Sequence, residues 1–171
     1  MANFDVASYN RLGQVFHAAN AAGVILTAVG TVHTGLVISN SFGSGKKLIL
    51  CDACFVPTTV PVATYALGIA IGFSPTAVTH TTPVSVYNSD GSGASTTAAG
   101  KADSSATVPV ATILARLSGY APTTPATTGG LSWQDLIDGK LVLVPGAYAH
   151  FTFVGTAPTG ISAFSWAEVP V

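Results

Sequence analysis

The chain has 171 residues, enough for one domain with a real core, and only thirteen are charged: six Lys or Arg and seven Asp or Glu, for a net charge of −1. Charged residues make up 8%, against about 25% in ordinary soluble domains, and mean hydropathy is +0.54. The balance leaves no basic stripe for a nucleic acid, and no apolar run reaches the roughly 18–20 residues of a membrane-spanning helix.

Residues 1–20 mix Asp5, Asn10 and Arg11 with Phe4, Tyr9, Leu12, Val15 and Phe16 without clean alternation. They read as an extended N-terminal arm whose five apolar side chains contact a neighbouring subunit. The segment lacks the basic start and apolar stretch of a secretory leader. Residues 21–171 read as a single β-sandwich domain, because short β-branched segments recur between Gly and Pro signals and helical periodicity is scarce.

Val24–Val29 and Val32–Ser39 are predicted strands, and residues 40–45, Asn-Ser-Phe-Gly-Ser-Gly, a turn. Lys46–Val56 reads as a strand apolar on both faces, which requires something to cover the outside of its sheet. Val62–Phe73 alternates: Tyr65, Leu67, Ile69, Ile71 and Phe73 share one face, and Thr64, Ala66, Gly68, Ala70 and Gly72 the other. The small face fits either a subunit contact or a sandwich interior that receives large side chains from the opposite sheet.

Val84–Asn88 is a predicted short strand, and 89–105 a long exposed loop of small polar residues. Thr107–Leu117 reads as an edge strand, with Pro109 near its start, and 119–130 as a second loop. Leu131–Ile137 reads as one helical turn capped by Ser132. Lys140–Val144 is a strand, Pro145-Gly146 a type II turn that suits a corner between sheets, and Ala147–Val154 and Ile161–Val169 the final strands. Tyr65, Leu67, Ile69, Phe151, Phe153, Phe164 and Trp166 are the predicted core.

Catalytic and metal-binding patterns are weak throughout. Cys51 and Cys54 form a C-x-x-C inside a β segment, where residues three apart point to opposite faces, and no second ligand pair accompanies them. Gly43-Ser44-Gly45-Lys46-Lys47 lacks the first Gly and the hydroxyl residue of a phosphate loop, and a strand follows where a helix is needed. His17, His33, His80 and His150 form no metal-ligand spacing. No nucleophile elbow occurs: Gly160-Ile161-Ser162-Ala163-Phe164 lacks the second Gly. The expectation is a protein that is not an enzyme, with no cofactor and no metal. Ser/Thr-rich loops near Tyr87 and Tyr120 leave sugar recognition as a lesser reading.

Two stretches carry a resemblance. One runs from Thr34-Gly35-Leu36-Val37-Ile38-Ser39-Asn40 to Ser44-Gly45-Lys46-Lys47-Leu48. The other is Pro145-Gly146-Ala147-Tyr148 together with Phe164-Ser165-Trp166-Ala167-Glu168-Val169-Pro170-Val171. Together they resemble small structural proteins from the head modules of tailed bacteriophages. The resemblance implies an all-β, antiparallel, jelly-roll-like sandwich that works as a homotrimeric capsid decoration (cement) protein. Its partners are its own copies and the major capsid protein, with no nucleic acid or membrane, and its place is the capsid exterior of the virion. The alternative is a receptor-binding or spike head domain of a phage fibre.

Overall fold

The computed structural model describes residues 5–60, 63–95, 97–121 and 132–171. Helix α1 (Val6–Arg11) is followed by β1 (Val15–Ala19), β2 (Val24–Ile25), β3 (Val32–Asn40), β4 (Lys46–Pro57), β5 (Tyr65–Phe73), β6 (Thr79–His80) and β7 (Pro83–Val84). Then come β8 (Tyr87–Asn88), β9 (Gly100–Thr107), β10 (Ile113–Ala121), β11 (Trp133–Leu136), β12 (Val142–Leu143), β13 (Ala147–Gly155) and β14 (Thr159–Pro170). Among the described residues these strands make two antiparallel sheets packed as a sandwich. Sheet one runs β11-β4-β14-β1-β8, with β12 also on β4 and β2 on β14; sheet two runs β10-β5-β13-β3-β9-β6, with β7 on β9.

The core lies between the sheets. Phe16, Phe55, Phe164 and Trp166 from sheet one meet Tyr65, Leu67, Ile69 and Phe151 from sheet two, all buried. Phe151 and Phe164 stack with centroids 4.9 Å apart. Phe153 is half-buried and packs against the same cluster. Each of these rings removes about 150–250 Å² from water, so this layer supplies most of the apolar driving force.

The described part of the segment read as an extended arm, residues 5–20, folds instead onto its own chain. Asp5 caps α1 by accepting from the Ala7 amide at 3.1 Å, and Val15–Ala19 forms a strand between β14 and β8. The alternation of Val15–Ala19 is what makes it a strand, since Phe16 and Ala18 turn inward and His17 and Ala19 outward. Helix α1 then lays Val6 and Tyr9 over Val15, Cys51 and Ala167 on the outside of sheet one. This is the cover that the two-sided apolarity of β4 demanded.

Strand β4 carries a bulge at Cys51, where Ser165 pairs with Asp52 but the next residue, Trp166, pairs with Leu50. Leu48 and Leu50 face the core before the bulge and Ala53 and Phe55 after it, so the inward set changes parity. Cys51 and Cys54 consequently lie on the same outer face, not on opposite faces, and both are free thiols.

The small face of β5 is on the outside of sheet two, and the chain itself covers part of it. A Cβ on Gly72 would sit 2.3 Å from the Tyr148 ring, so glycine alone lets that ring lie flat on the strand. The Tyr148 hydroxyl donates to the Val110 carbonyl at 2.6 Å and accepts from the Val110 amide at 3.2 Å. Residues 108–112, read from sequence as part of a strand, thus cross the sheet's outer face as a lid. Beside Tyr148 lie His33 and His150, ring centroids 3.7 Å apart.

Three further expectations change. Residues 100–105, read as the end of the 89–105 loop, belong instead to β9, which pairs with β3 and buries Ala102, Asp103 and Ala106. Residues 133–136, read as part of a helical turn, pair with β4 and lead into Asp138-Gly139, whose φ values of 49° and 74° make a tight turn closed by the Lys140 amide on the Ile137 carbonyl, after which β12 rejoins the same edge of β4. The strand Val84–Asn88 is split: Pro83–Val84 belongs to sheet two and Tyr87–Asn88 to sheet one. The Pro145-Gly146 turn does form a corner, from β12 in sheet one to β13 in sheet two.

Candidate interaction surfaces

The surface is best understood from where the few charges go. Glu168 on β14 is buried and accepts from the amides of Ala99 and Gly100, from the Trp166 indole at 3.2 Å and from the Lys46 ammonium at 2.9 Å. It ties sheet one to the start of β9 in sheet two. Asp103, fully buried, accepts from the Thr82 and Ser105 amides, with His80 Nδ1 at 3.5 Å. Asp135 on β11 takes both arms of Arg116 on β10, at 2.7 and 2.8 Å, and the Ser118 hydroxyl at 2.9 Å. That pair closes one side of the sandwich, bridging the edge strands of the two sheets. All three carboxylates are satisfied, as buried charges must be.

Five of the thirteen charged side chains are therefore spent inside these clusters. Asp5, Arg11, Lys47, Asp52, Asp90, Lys101, Asp138 and Lys140 remain for a surface of 8256 Å². That is about one charge per 1,000 Å², against about one per 180 Å² at average composition.

Apolar side chains occupy part of what is left. Strand β10 ends sheet two and pairs on one side only among the described residues. Register irregularities after Leu114 and after Leu117 place those two residues on the same outer face, opposite Ala70 and Gly68. Strict alternation places residues three apart on opposite faces, so the irregularities are what bring these two together. Ile113 is 68% and Leu117 60% exposed, and Val110, Leu114, Phe73 and Val154 are exposed near them. Exposed apolar side chains clustered on an end strand offer a contact surface to another chain.

The residues predicted as arm contacts are distributed differently. Val15 and Phe16 are buried in the chain's own sandwich, Phe16 with its ring centroid 6.3 Å from that of Trp166, which removes them from any subunit contact. Tyr9 is half-buried against sheet one, Leu12 is exposed, and Phe4 lies outside the described residues. The predicted core residues meet between the sheets as described above. Reading the sequence missed the β10 edge as an apolar surface, although Ile113, Leu114 and Leu117 in a segment with one charge were the available signal.

The cysteines are not poised for chemistry. Burial, with Asp52 adding to it, pushes the Cys51 thiol up to about 11, and burial also raises Cys54. Among the described residues no three His, Cys, Asp or Glu side chains stand close enough to hold a metal ion, and no helix is long and apolar enough to cross a membrane. Comparisons with protein-family models, with curated proteins and with solved structures return no match to this chain.

Proposed function

We propose that this protein is a virion structural component, a decoration protein that cements a tailed-phage head from the capsid exterior. The observation that carries the reading is the surface, depleted of charge by inward-turned carboxylates and carrying the exposed apolar side chains Ile113, Leu114 and Leu117 on β10, which pairs on one side only among the described residues. Such a surface suits burial against copies of the chain and against the major capsid protein, where stable interfaces exceed roughly 2,000 Å² and are more apolar than free surface. A closed trimer ends the assembly without open-ended growth. A jelly-roll-like path is part of this reading, supported by the way the strands β3, β4 and β5, and again β12, β13 and β14, alternate between sheets. The work done is mechanical: bridging capsomers so that the outward pressure of packaged DNA is resisted across their seams.

The test adds purified protein to phage head shells that lack it. Stoichiometric binding and heat-resistant shells are expected, and the double variant Ile113→Asp with Leu117→Asp should stay folded yet lose its trimeric mass in sedimentation. A monomer at micromolar concentration that ignores the shells overturns the reading. Electron microscopy placing the chain at a fibre tip replaces it with a receptor-binding head.

A further inference from the structure

A groove of about 650 Å³ opens where the chain crosses from β7 in sheet two to β8 in sheet one. Its size is that of a small-molecule site, about 300–1,000 Å³. Residues just before β2 form one wall, and Thr82, Ser85 and Ser104 bring hydroxyls to the other. At one end stands Tyr87, 44% exposed, its ring stacked on His17 at 6.0 Å, and His17 is steadied by Ser89 at 3.2 Å. The ring is therefore held in place and offers an aromatic platform.

Two features narrow the occupant. No Asp, Glu, Lys or Arg lines the groove, so a charged ligand would lose hydration without a counter-charge. Asn20, 5% exposed, lines it with one half of its amide committed: Oδ1 accepts from the Ser162 amide at 3.1 Å, while Nδ2 is buried with no acceptor. A purely apolar occupant would leave that donor and the Thr82 and Ser85 hydroxyls unpaired, each a cost of about 1–3 kcal/mol, whereas the Ser104 hydroxyl already donates to the Thr82 carbonyl. A ring with one apolar face and several hydroxyls answers both demands.

We propose that this groove binds a neutral saccharide, its C–H face on Tyr87 and its hydroxyls toward Asn20, Thr82, Ser85 and Ser104. The site stands apart from the β10 edge and does not depend on the virion reading. The test is an array of neutral and acidic glycans probed with the intact protein, followed by calorimetric titration of the best neutral glycan. Tyr87→Ala should weaken binding by at least about tenfold, while Tyr87→Phe keeps the platform and the affinity. Asn20→Asp retains the acceptor for Ser162 and removes the free donor, and should also weaken binding. A blank array, a preference for acidic glycans, or equal affinity for Tyr87→Ala with an unchanged melting temperature overturns the proposal. So does a Tyr87→Ala variant that changes the oligomeric mass, which would make the groove a seam between chains.

Discussion

The two outer faces of the sandwich are covered by different chemistry. Over sheet one the cover is a short helix laying Val6 and Tyr9 on apolar neighbours. Over sheet two it is the 108–112 lid and the 27–30 turn, joined to the sheet by side-chain hydrogen bonds. Nδ1 of His150 donates to the Phe151 carbonyl at 2.6 Å, which leaves Nε2 to accept from the Thr112 hydroxyl at 2.9 Å. His33 Nε2 donates to the Gly30 carbonyl at 3.1 Å, and Nδ1 accepts from Thr27 at 3.3 Å. Lifting the helix exposes chiefly the apolar area under Val6 and Tyr9. Lifting the lid strands buried polar groups, so the lid belongs to the global unfolding unit and the helix to a local one.

The largest effect should come from Tyr148→Ala, which empties the space over Gly72 and removes both bonds to Val110. A loss of about 3–5 kcal/mol is expected in urea denaturation, as for other buried aromatics. A loss under about 1 kcal/mol would mean that the lid is not part of the cooperative unit.

Acid should come next. Burial, and then the neighbouring His33, hold His150 down to about 3, and burial also lowers His33. The unfolded chain takes up these protons near the ordinary value of about 6.5, whereas the folded chain does not until far lower pH. Stability is thus full above about 6.5 and falls as pH drops toward the folded value, by about 2 kcal/mol at pH 5 for His150 alone. Melting followed between pH 7 and pH 5 should show this decline, and His150→Gln should flatten it. A wild-type melting temperature that is level over that range would contradict neutral, buried imidazoles.

The smallest effect tests the helical cover. Val6→Asp should speed thiol labelling of Cys51 severalfold while moving the global unfolding free energy by no more than about 1 kcal/mol. Equal losses in both measurements would merge the helix with the sandwich and erase the contrast between the two faces.

Much of this fold could be read from residue order, and the failures have physical causes. Alternation located β5, β13 and β14 and their inward aromatics, and Pro145-Gly146 marked the corner between sheets. The bulge at Cys51 was invisible because an extra residue in one strand is decided by its partner, here the Ser165–Trp166 step. Strand β9 was hidden because Gly-Lys-Ala-Asp-Ser-Ser-Ala-Thr is small and polar; its burial rests on Ala102 and Ala106 and on an Asp103 paired to backbone amides. The tight turn at Asp138-Gly139 was within reach, since Asp-Gly is among the strongest short turn signals, but Ser132 was given a capping role instead. Of the groove at Tyr87, residue order showed only an aromatic beside Ser/Thr-rich sequence, because the walls come from residues 17–24, 82–87 and 104, which only the fold brings together.

Strand β14 sits between β4 and β1, so the middle of sheet one is filled by the strand that leaves the ribosome after all the others described here. Until it arrives, the twelve-residue β4 and the five-residue β1, both made earlier in synthesis, have no partner across that gap. Assembly therefore waits on a distant closure, which places folding in the slow, millisecond-to-second regime of high contact order. During that delay the nascent chain is open to aggregation, and abundant expression of this protein should lean on holding chaperones.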